Sequence, residues 1–261
     1  MYVKPKKQLG QHFLTDMGIS QQICNSLTAF RTPKTLEVGP GTGVLTQFLL
    51  KRKDIELWAA EVDKESIVYL NSKFPELTPT LIDGDFLKLP LDEMFSDGVN
   101  IIGNFPYNIS SQIYFKILEH KELISECVGM IQKEVAVRLA EPPGKKEYGI
   151  LSVFLQAYYD IEYLFTVGPE VFNPPPKVQS AVIRITRNQR EKLNCDEKLF
   201  YKVVKGTFNQ RRKTIRNSLK AAFPAITGEH EFFTLRPEKL GVDEFVELTN
   251  FVENELQKNQ L

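Results

Sequence analysis

The sequence predicts an α/β fold: a doubly wound, mostly parallel sheet of seven strands, the last one antiparallel, followed by a small all-helical domain. Three observations carry this. Short β-branched runs alternate with helical patterns through the first two thirds of the 261 residues, as in chains of right-handed crossovers. Only a Pro-rich loop separates the last two strand runs, whereas a parallel crossover needs roughly a dozen or more residues. Strand signals then stop near residue 190.

Each element follows in order. A basic arm precedes residue 13, and a helix is expected over about 16–29 with Thr15 or Asp16 as its N-cap. Strand runs fall at 34–39 (KTLEVG), 55–61 (IELWAAE), 79–83 (PTLID), 99–103 (VNIIG), 126–132 (ECVGMIQ), 161–167 (IEYLFTV) and 178–185 (VQSAVIRI). Helical patterns lie near 44–53, 64–73, 110–120, 133–140 and 149–159. Residues 196–261 read as helices only, with breaks near Phe223-Pro224, Thr227-Gly228 and Arg236-Pro237. The expected division is 1–190 for the sheet domain and 191–261 for the helical one.

The composition is that of a folded chain, 42% hydrophobic and 25% charged. Lys and Arg number 33 against 33 Asp and Glu, which excludes a uniformly basic coat but not a local basic face. Cys24, Cys127 and Cys195 fit neither a zinc spacing nor a disulfide framework, which points to a reducing compartment. The start, Met1-Tyr2-Val3-Lys4-Pro5-Lys6-Lys7, is basic with no apolar run behind it, and no segment approaches the roughly 18 apolar residues of a membrane span. A cytoplasmic, soluble protein without a membrane partner is expected.

The first strand ends in Glu37-Val38-Gly39-Pro40-Gly41-Thr42-Gly43. Glycines there allow a sharp turn and close approach of a ligand to Gly39 and Gly41. The spacing is one residue shorter than the dinucleotide fingerprint, and Pro40 removes an N–H that a pyrophosphate cradle would use. The loop suits a nucleoside without phosphates. The second strand ends at Glu61, placed to accept from ribose hydroxyls, and the third in Gly84-Asp85-Phe86, a carboxylate for an adenine amine with an aromatic beside the base. Three such signals at successive strand ends resemble the Rossmann-like S-adenosylmethionine methyltransferase sheet, and this resemblance names the cofactor.

Directly after the fourth strand comes Asn104-Phe105-Pro106-Tyr107, which resembles the N/D-x-P-Y/F motif of amino-group methyltransferases. The adenine amine is a poor nucleophile because its lone pair is conjugated into the ring. Acceptors on its hydrogens, Asn104 Oδ1 and the Phe105 carbonyl, can aim that lone pair at a methyl donor. Pro106 biases Phe105 toward an extended backbone, and Tyr107 offers a face for an extruded base. No dedicated general base is needed, so positioning and electrostatics carry the chemistry.

At this point the chain resembles the ribosomal RNA adenine dimethyltransferases along residues 4–250. The segments that carry the likeness are Lys7-Gln8-Leu9-Gly10-Gln11-His12-Phe13-Leu14, the Leu36–Gly43 loop, Val171-Phe172-Asn173-Pro174-Pro175-Pro176-Lys177-Val178-Gln179-Ser180-Ala181-Val182 and Phe208-Asn209-Gln210-Arg211-Arg212-Lys213. The small-subunit branch is the best match. The resemblance implies cofactor contacts at His12, Leu14, Gly39, Glu61, Asp85 and Asn104. It also implies Phe172 as a second aromatic face opposite Tyr107. Many relatives carry Asn where His12 stands, which leaves its contact open between ring and backbone. Phe105 stands where Leu or Ile is commoner, and its ring is expected to shape the pocket wall. The implied reaction moves four methyl groups to N6 of two adjacent adenosines in the 3′-terminal hairpin loop of small-subunit rRNA. The implied partner is an immature small ribosomal subunit, and the free chain is expected to be a monomer.

Residues 198–220 hold eight basic side chains and no acid, whereas 221–261 sum to −5. The first stretch reads as a phosphate-binding stripe, with Arg211, Arg212, Lys213 and Arg216 as its centre and Lys177 on the Pro-rich loop. Lys4, Lys6, Lys7, Lys145 and Lys146 could extend it. His120 and His230 suggest no ligand role, and no metal site is expected. Two other readings stay open: a large-subunit rRNA methyltransferase of the erythromycin-resistance kind, and a non-catalytic ribosome assembly factor.

Overall fold

The computed structural model describes residues 3–258; the first two residues of the basic arm and the last three of the helical domain lie outside them. The strands are β1 (Phe13–Leu14), β2 (Lys34–Val38), β3 (Glu56–Glu61), β4 (Leu81–Asp83), β5 (Val99–Asn104), β6 (Ile124–Gln132), β7 (Tyr159–Val167), β8 (Phe172–Asn173) and β9 (Ser180–Arg187). The helices are α1 (Met17–Ser26), α2 (Thr46–Leu49), α3 (Lys64–Lys73), α4 (Leu91–Met94), α5 (Ser110–Glu119), α6 (Lys133–Ala140), α7 (Ile150–Gln156), α8 (Glu197–Phe208), α9 (Ile215–Ala222) and α10 (Val242–Lys258).

Seven strands form one sheet in the order β4-β3-β2-β5-β6-β9-β7. Strands β2, β3, β4, β5 and β6 pair parallel, and β9 runs antiparallel to β6. The central strands are covered on both faces, so they read as continuous apolar runs; in β5 every residue but Asn104 is buried. Strand order reverses at β2, and the carboxyl ends on either side of such a point open a ligand crevice. Asp16 caps α1, its Oδ1 accepting from the Ile19 N–H at 2.8 Å. α2 is shorter than its apolar pattern, because the N–H groups of Lys51 and Arg52 close onto the carbonyls of Phe48 and Leu49, three residues back.

The chain divides into two compact units, residues 1–136 with 160–187, and residues 137–159 with 188–261. Residues 137–159, expected in the sheet domain, therefore belong to the second unit. Aromatic packing explains this correction: the Phe154 ring lies 4.3 Å from Tyr201 and 6.2 Å from Phe200, and Tyr148 lies 6.5 Å from Phe208. Helix propensity does not reveal which face such rings will find. Cys24 and Cys127 are buried and Cys195 partly so, all three as thiols. No helix among the described residues is long and apolar enough to cross a membrane.

Candidate active site

The carboxyl ends of β2, β3, β4 and β5 surround a cavity of about 360 Å³ whose wall includes His12, Gly39, Gly41, Glu61, Asp85, Phe86, Asn104, Phe105, Pro106 and Tyr107. That volume is in the roughly 300–1,000 Å³ range of small-molecule sites. A smaller annex of about 30 Å³ adjoins the glycine loop, with Leu14, Glu37, Gly39 and Asn104 on its wall. The structure thus brings together nearly all the expected cofactor residues, which are scattered over 96 positions of sequence between His12 and Tyr107.

The glycine loop uses its own N–H groups. Gly39 donates to the Ala60 carbonyl (2.9 Å), Gly43 to the Pro40 carbonyl (2.8 Å) and Gly41 to Glu61 Oε2 (2.9 Å). None of the three is left for a phosphate, as the shortened spacing and Pro40 suggest. Gly39 and Gly41 sit at φ +69° and +56°; a Cβ on Gly39 would meet nothing within 4 Å, whereas one on Gly41 would strike the Phe13 ring at 2.8 Å. Glu61 is 3% exposed, and its Oε1 accepts from the N–H groups of Val62 and Asp63. Burial raises its pKa, opposed by those backbone donors. A carboxylate has about four acceptor positions, so three are filled and about one is spare for a ribose hydroxyl. The expected grip on both hydroxyls therefore requires the Gly41 donor to yield. Asp85 caps its own loop through Oδ1, accepting from Leu87 N–H at 3.0 Å, which leaves Oδ2 for an amine.

The tetrad is held from beneath. The Phe105 ring is 1% exposed and meets Tyr114 edge-on at 6.0 Å. A Cβ on Gly103 or Gly129 would collide with that ring. The bulk of the Phe105 side chain is accommodated by two glycines, and its N–H donates to the Met130 carbonyl at 3.0 Å. Asn104 Nδ2 donates to the His12 carbonyl at 2.9 Å. A carbonyl can only accept, so the amide orientation is fixed with Oδ1 as the remaining acceptor. The Tyr107 hydroxyl bonds Ser180 Oγ at 2.5 Å, and burial raises its pKa.

A two-stranded ribbon that the sequence does not reveal connects the N-terminal and Pro-rich motifs. Phe13 pairs with Asn173 and Leu14 with Phe172, and Thr15 N–H donates to the Val171 carbonyl at 2.8 Å. Phe172 is 4% exposed and packs with Leu14, Met130, Val167 and Val182. Its ring is not among the residues on the cavity wall; here it packs in the core, on the strand paired with β1. The His12 ring stacks on Tyr107, at 5.3 Å between centroids and 26° between planes.

The expected basic surface divides as well. Lys6 is paired with Asp63 and Glu65, which removes it from the exposed set. Arg211 donates to the Lys146 carbonyl and lies 3.8 Å from Glu238. Arg216 grips Glu229 with both terminal nitrogens and lies over Phe233. Arg212, Lys213 and Lys177 are exposed, as are Lys198, Lys202 and Lys205, which recur along one face of α8. His120 lies 3.1 Å from Asp92 and His230 3.6 Å from Glu247. Among the described residues no three His, Cys, Asp or Glu side chains group as metal ligands would.

Two positioning residues escaped the sequence reading. Lys116 is 7% exposed, and its Nζ donates to the carbonyls of Leu87 (3.0 Å) and Leu89 (2.7 Å). It braces the loop that presents Asp85 and Phe86. A cation on the apolar stripe of α5, beside Ile113 and Ile117, is the one available signal. Glu37 is 1% exposed and accepts from Thr46 Oγ1 at 2.7 Å; burial pushes its pKa up to about 7.

Residues 3–258 match the family described as ribosomal RNA adenine dimethylase. The chain is 55% identical over 258 residues to the ribosomal RNA small subunit methyltransferase A of Parabacteroides distasonis, covering 98% of this chain and 97% of that one. The protein of the same name from Bacteroides thetaiotaomicron is 57% identical over 259 residues, with 98% and 96% covered. Among solved structures, a dimethyladenosine transferase from Plasmodium falciparum superposes with a TM-score of 0.76 at 22% identity, covering 96% and 99% of the two chains. The 23S rRNA methyltransferase ErmE gives 0.66 at 25% identity, covering 92% and 99%.

Proposed function

This chain belongs to the ribosomal RNA adenine dimethylase family, and from that premise we propose that it methylates N6 of two adjacent adenosines in the 3′-terminal hairpin loop of small-subunit rRNA. The observation that carries the reading is near full-length identity of 55–57% to small-subunit enzymes, together with an Asn104 whose Oδ1 is left as an acceptor beside the cavity. The large-subunit alternative has support in the shared fold alone, at 25% identity. Intact Glu61, Asp85 and Asn104-Phe105-Pro106-Tyr107 argue against a non-catalytic assembly factor.

The donor set suits S-adenosylmethionine, whose sulfonium methyl is the electrophile when it is bound. Glu61 takes a ribose hydroxyl, Asp85 Oδ2 the adenine amine, and Phe86 stands beside the base. Gly39 and Gly41 let the backbone come close, and His12, Leu14 and Asn104 enclose the reactive end. Asn104 Oδ1 and the Phe105 carbonyl accept from the target amine and orient its lone pair; after transfer the proton leaves to water. Arg212 and Lys213, with Lys177 on the other unit, supply cations for RNA phosphates, while Arg211 and Arg216 support the fold around them.

The substrate form is an immature small subunit, the free protein is a monomer, and its site of action is the cytoplasm, where subunits are assembled. Incubation of purified protein with labelled cofactor and immature small subunits tests this, with mass mapping of dimethyladenosine in the RNA. Label in two adjacent adenosines is expected. No label in that RNA, with label appearing when large-subunit RNA is supplied instead or with none in either, refutes the reading.

A further inference from the structure

We propose that Ser180 is a positioning residue for methyl transfer: its hydroxyl pins the tip of the Tyr107 ring and so fixes the face on which the target adenine is placed. The inference rests on the adenine-methylating reading above and deepens it. Strand β9 opens with Ser180-Ala181-Val182-Ile183, all 0% exposed. Serine is the odd member of that run, because a buried hydroxyl needs a hydrogen-bond partner and the apolar neighbours offer none. Its partner is the Tyr107 hydroxyl, at 2.5 Å. The core makes no use of the Ser180 hydroxyl; the loop after β5 does.

The fold defines both ends of this bond. Ser180 pairs with Gln132, and the Gln179 carbonyl beside it accepts from the Lys133 N–H at 2.9 Å. The Ser180 backbone is therefore held in the sheet where β6 ends and β9 begins. Strand β6 lies between β5 and β9, so Tyr107, three residues beyond Asn104, reaches across the end of β6. Its own turn is closed: Ile109 N–H donates to the Pro106 carbonyl at 3.1 Å, and Ser110 Oγ to the Tyr107 carbonyl at 3.2 Å. These bonds fix the Tyr107 backbone and leave the side-chain torsions to be set separately. The stacked His12 ring limits the ring on one side, and the bond to Ser180 holds its tip. With the phenol oxygen engaged there, Tyr107 offers the cavity its ring rather than its hydroxyl. Ser180 is not on the cavity wall, so it acts through Tyr107. Placement matters because a shift of about 1 Å at a reacting centre can cost about a hundredfold in rate.

The test compares Ser180→Ala, Tyr107→Phe and the Ser180→Ala/Tyr107→Phe double variant. Tyr107→Phe keeps the ring and removes the same bond from its other end. Labelled cofactor and immature small subunits give kcat and the KM for subunits; calorimetry gives the Kd for S-adenosylmethionine. Ser180→Ala is expected to lower kcat by about five- to a hundredfold, the range from one lost hydrogen bond to a 1 Å misplacement. Its KM for subunits and its cofactor Kd should stay within about threefold, because Ser180 touches neither the cavity nor the exposed cations. Tyr107→Phe should lose kcat to a similar extent, and the double variant should match either single variant within about threefold, since all three lack one and the same bond. Losses that multiply in the double variant make Ser180 and the Tyr107 hydroxyl independent and overturn the proposal. So does wild-type kcat in Ser180→Ala or in Tyr107→Phe, or a cofactor Kd in Ser180→Ala that weakens as much as kcat falls. If Ser180→Ala does not fold, Tyr107→Phe alone decides on kcat. Wild-type protein in the same assay separates the two inferences: if it forms no dimethyladenosine, the functional reading itself fails.

Discussion

Replacing Asn104 by Ala removes two interactions at once, and their sizes can be separated. The first is the Oδ1 acceptor for the target amine. A preorganised group of this kind, acting where charge develops, contributes about 10²–10³ in kcat, or about 3–4 kcal/mol. The second is the donor bond from Nδ2 to the His12 carbonyl at 2.9 Å, half-buried, worth about 1 kcal/mol net. Together they amount to about 4–5 kcal/mol, so kcat should fall about 10³–10⁴-fold. Single-turnover transfer from labelled S-adenosylmethionine to immature small subunits measures the rate, and calorimetry measures cofactor binding, which should weaken by less than about tenfold. Asn104→Asp divides the sum. It keeps an acceptor for the amine but sets a second acceptor against the His12 carbonyl, so its loss should fall well short of that of Ala. A rate within tenfold of wild type in Asn104→Ala, or an affinity loss as large as the rate loss, would refute the assignment of Oδ1.

Other outcomes follow from the same geometry. Lys116→Met should weaken S-adenosylmethionine binding about tenfold, since two carbonyls lose a charged donor, with kcat at saturating cofactor little changed; calorimetry and initial rates check both. Gly41→Ala places a side chain at φ +56° against Phe13 and should lower both Tm and cofactor affinity, the backbone strain alone costing about 1–2 kcal/mol. Glu37 has its pKa raised from 4.5 to about 7 by burial. The raised value means its contribution is full below about pH 4.5 and lost as pH rises through about 7. Glu37→Gln should therefore match wild type near pH 4.5 and exceed it by up to about 3 kcal/mol at pH 8 in urea unfolding; a pH-independent difference would contradict this. Arg212→Glu with Lys213→Glu should lessen the slope of log K against log salt for subunit binding by about two, whereas Arg216→Ala should lower Tm and leave the slope unchanged.

The sheet was legible because its signals are local. A strand such as VNIIG, buried on both faces, needs a continuous apolar run, and glycine at φ +69° after β2 needs no partner to be required. The same holds for Glu61, Asp85 and Asn104: in a doubly wound sheet the carboxyl ends of neighbouring strands converge whatever the loops do. Local pattern alone therefore delivered the strands around the crevice and the acids at their ends, whereas the strand order came from the structure.

What remained hidden depends on groups far apart in the chain. Neither Phe13 nor Phe172 carries any mark of the ribbon that joins their strands, since two-residue pairings have no periodicity to read. That ribbon sends Phe172 into the core and holds His12 beside Tyr107. Lys6 and Arg216 look like free cations in a string of letters, and only their placement beside Asp63 and Glu229 uses them up. The division of residues 137–159 depended on which rings Phe154 and Tyr148 would find. The sequence by itself determined the chemistry available at the ends of the strands. The tertiary structure decided which aromatic rings are buried and which charges are paired, because burial and pairing are properties of neighbours in space.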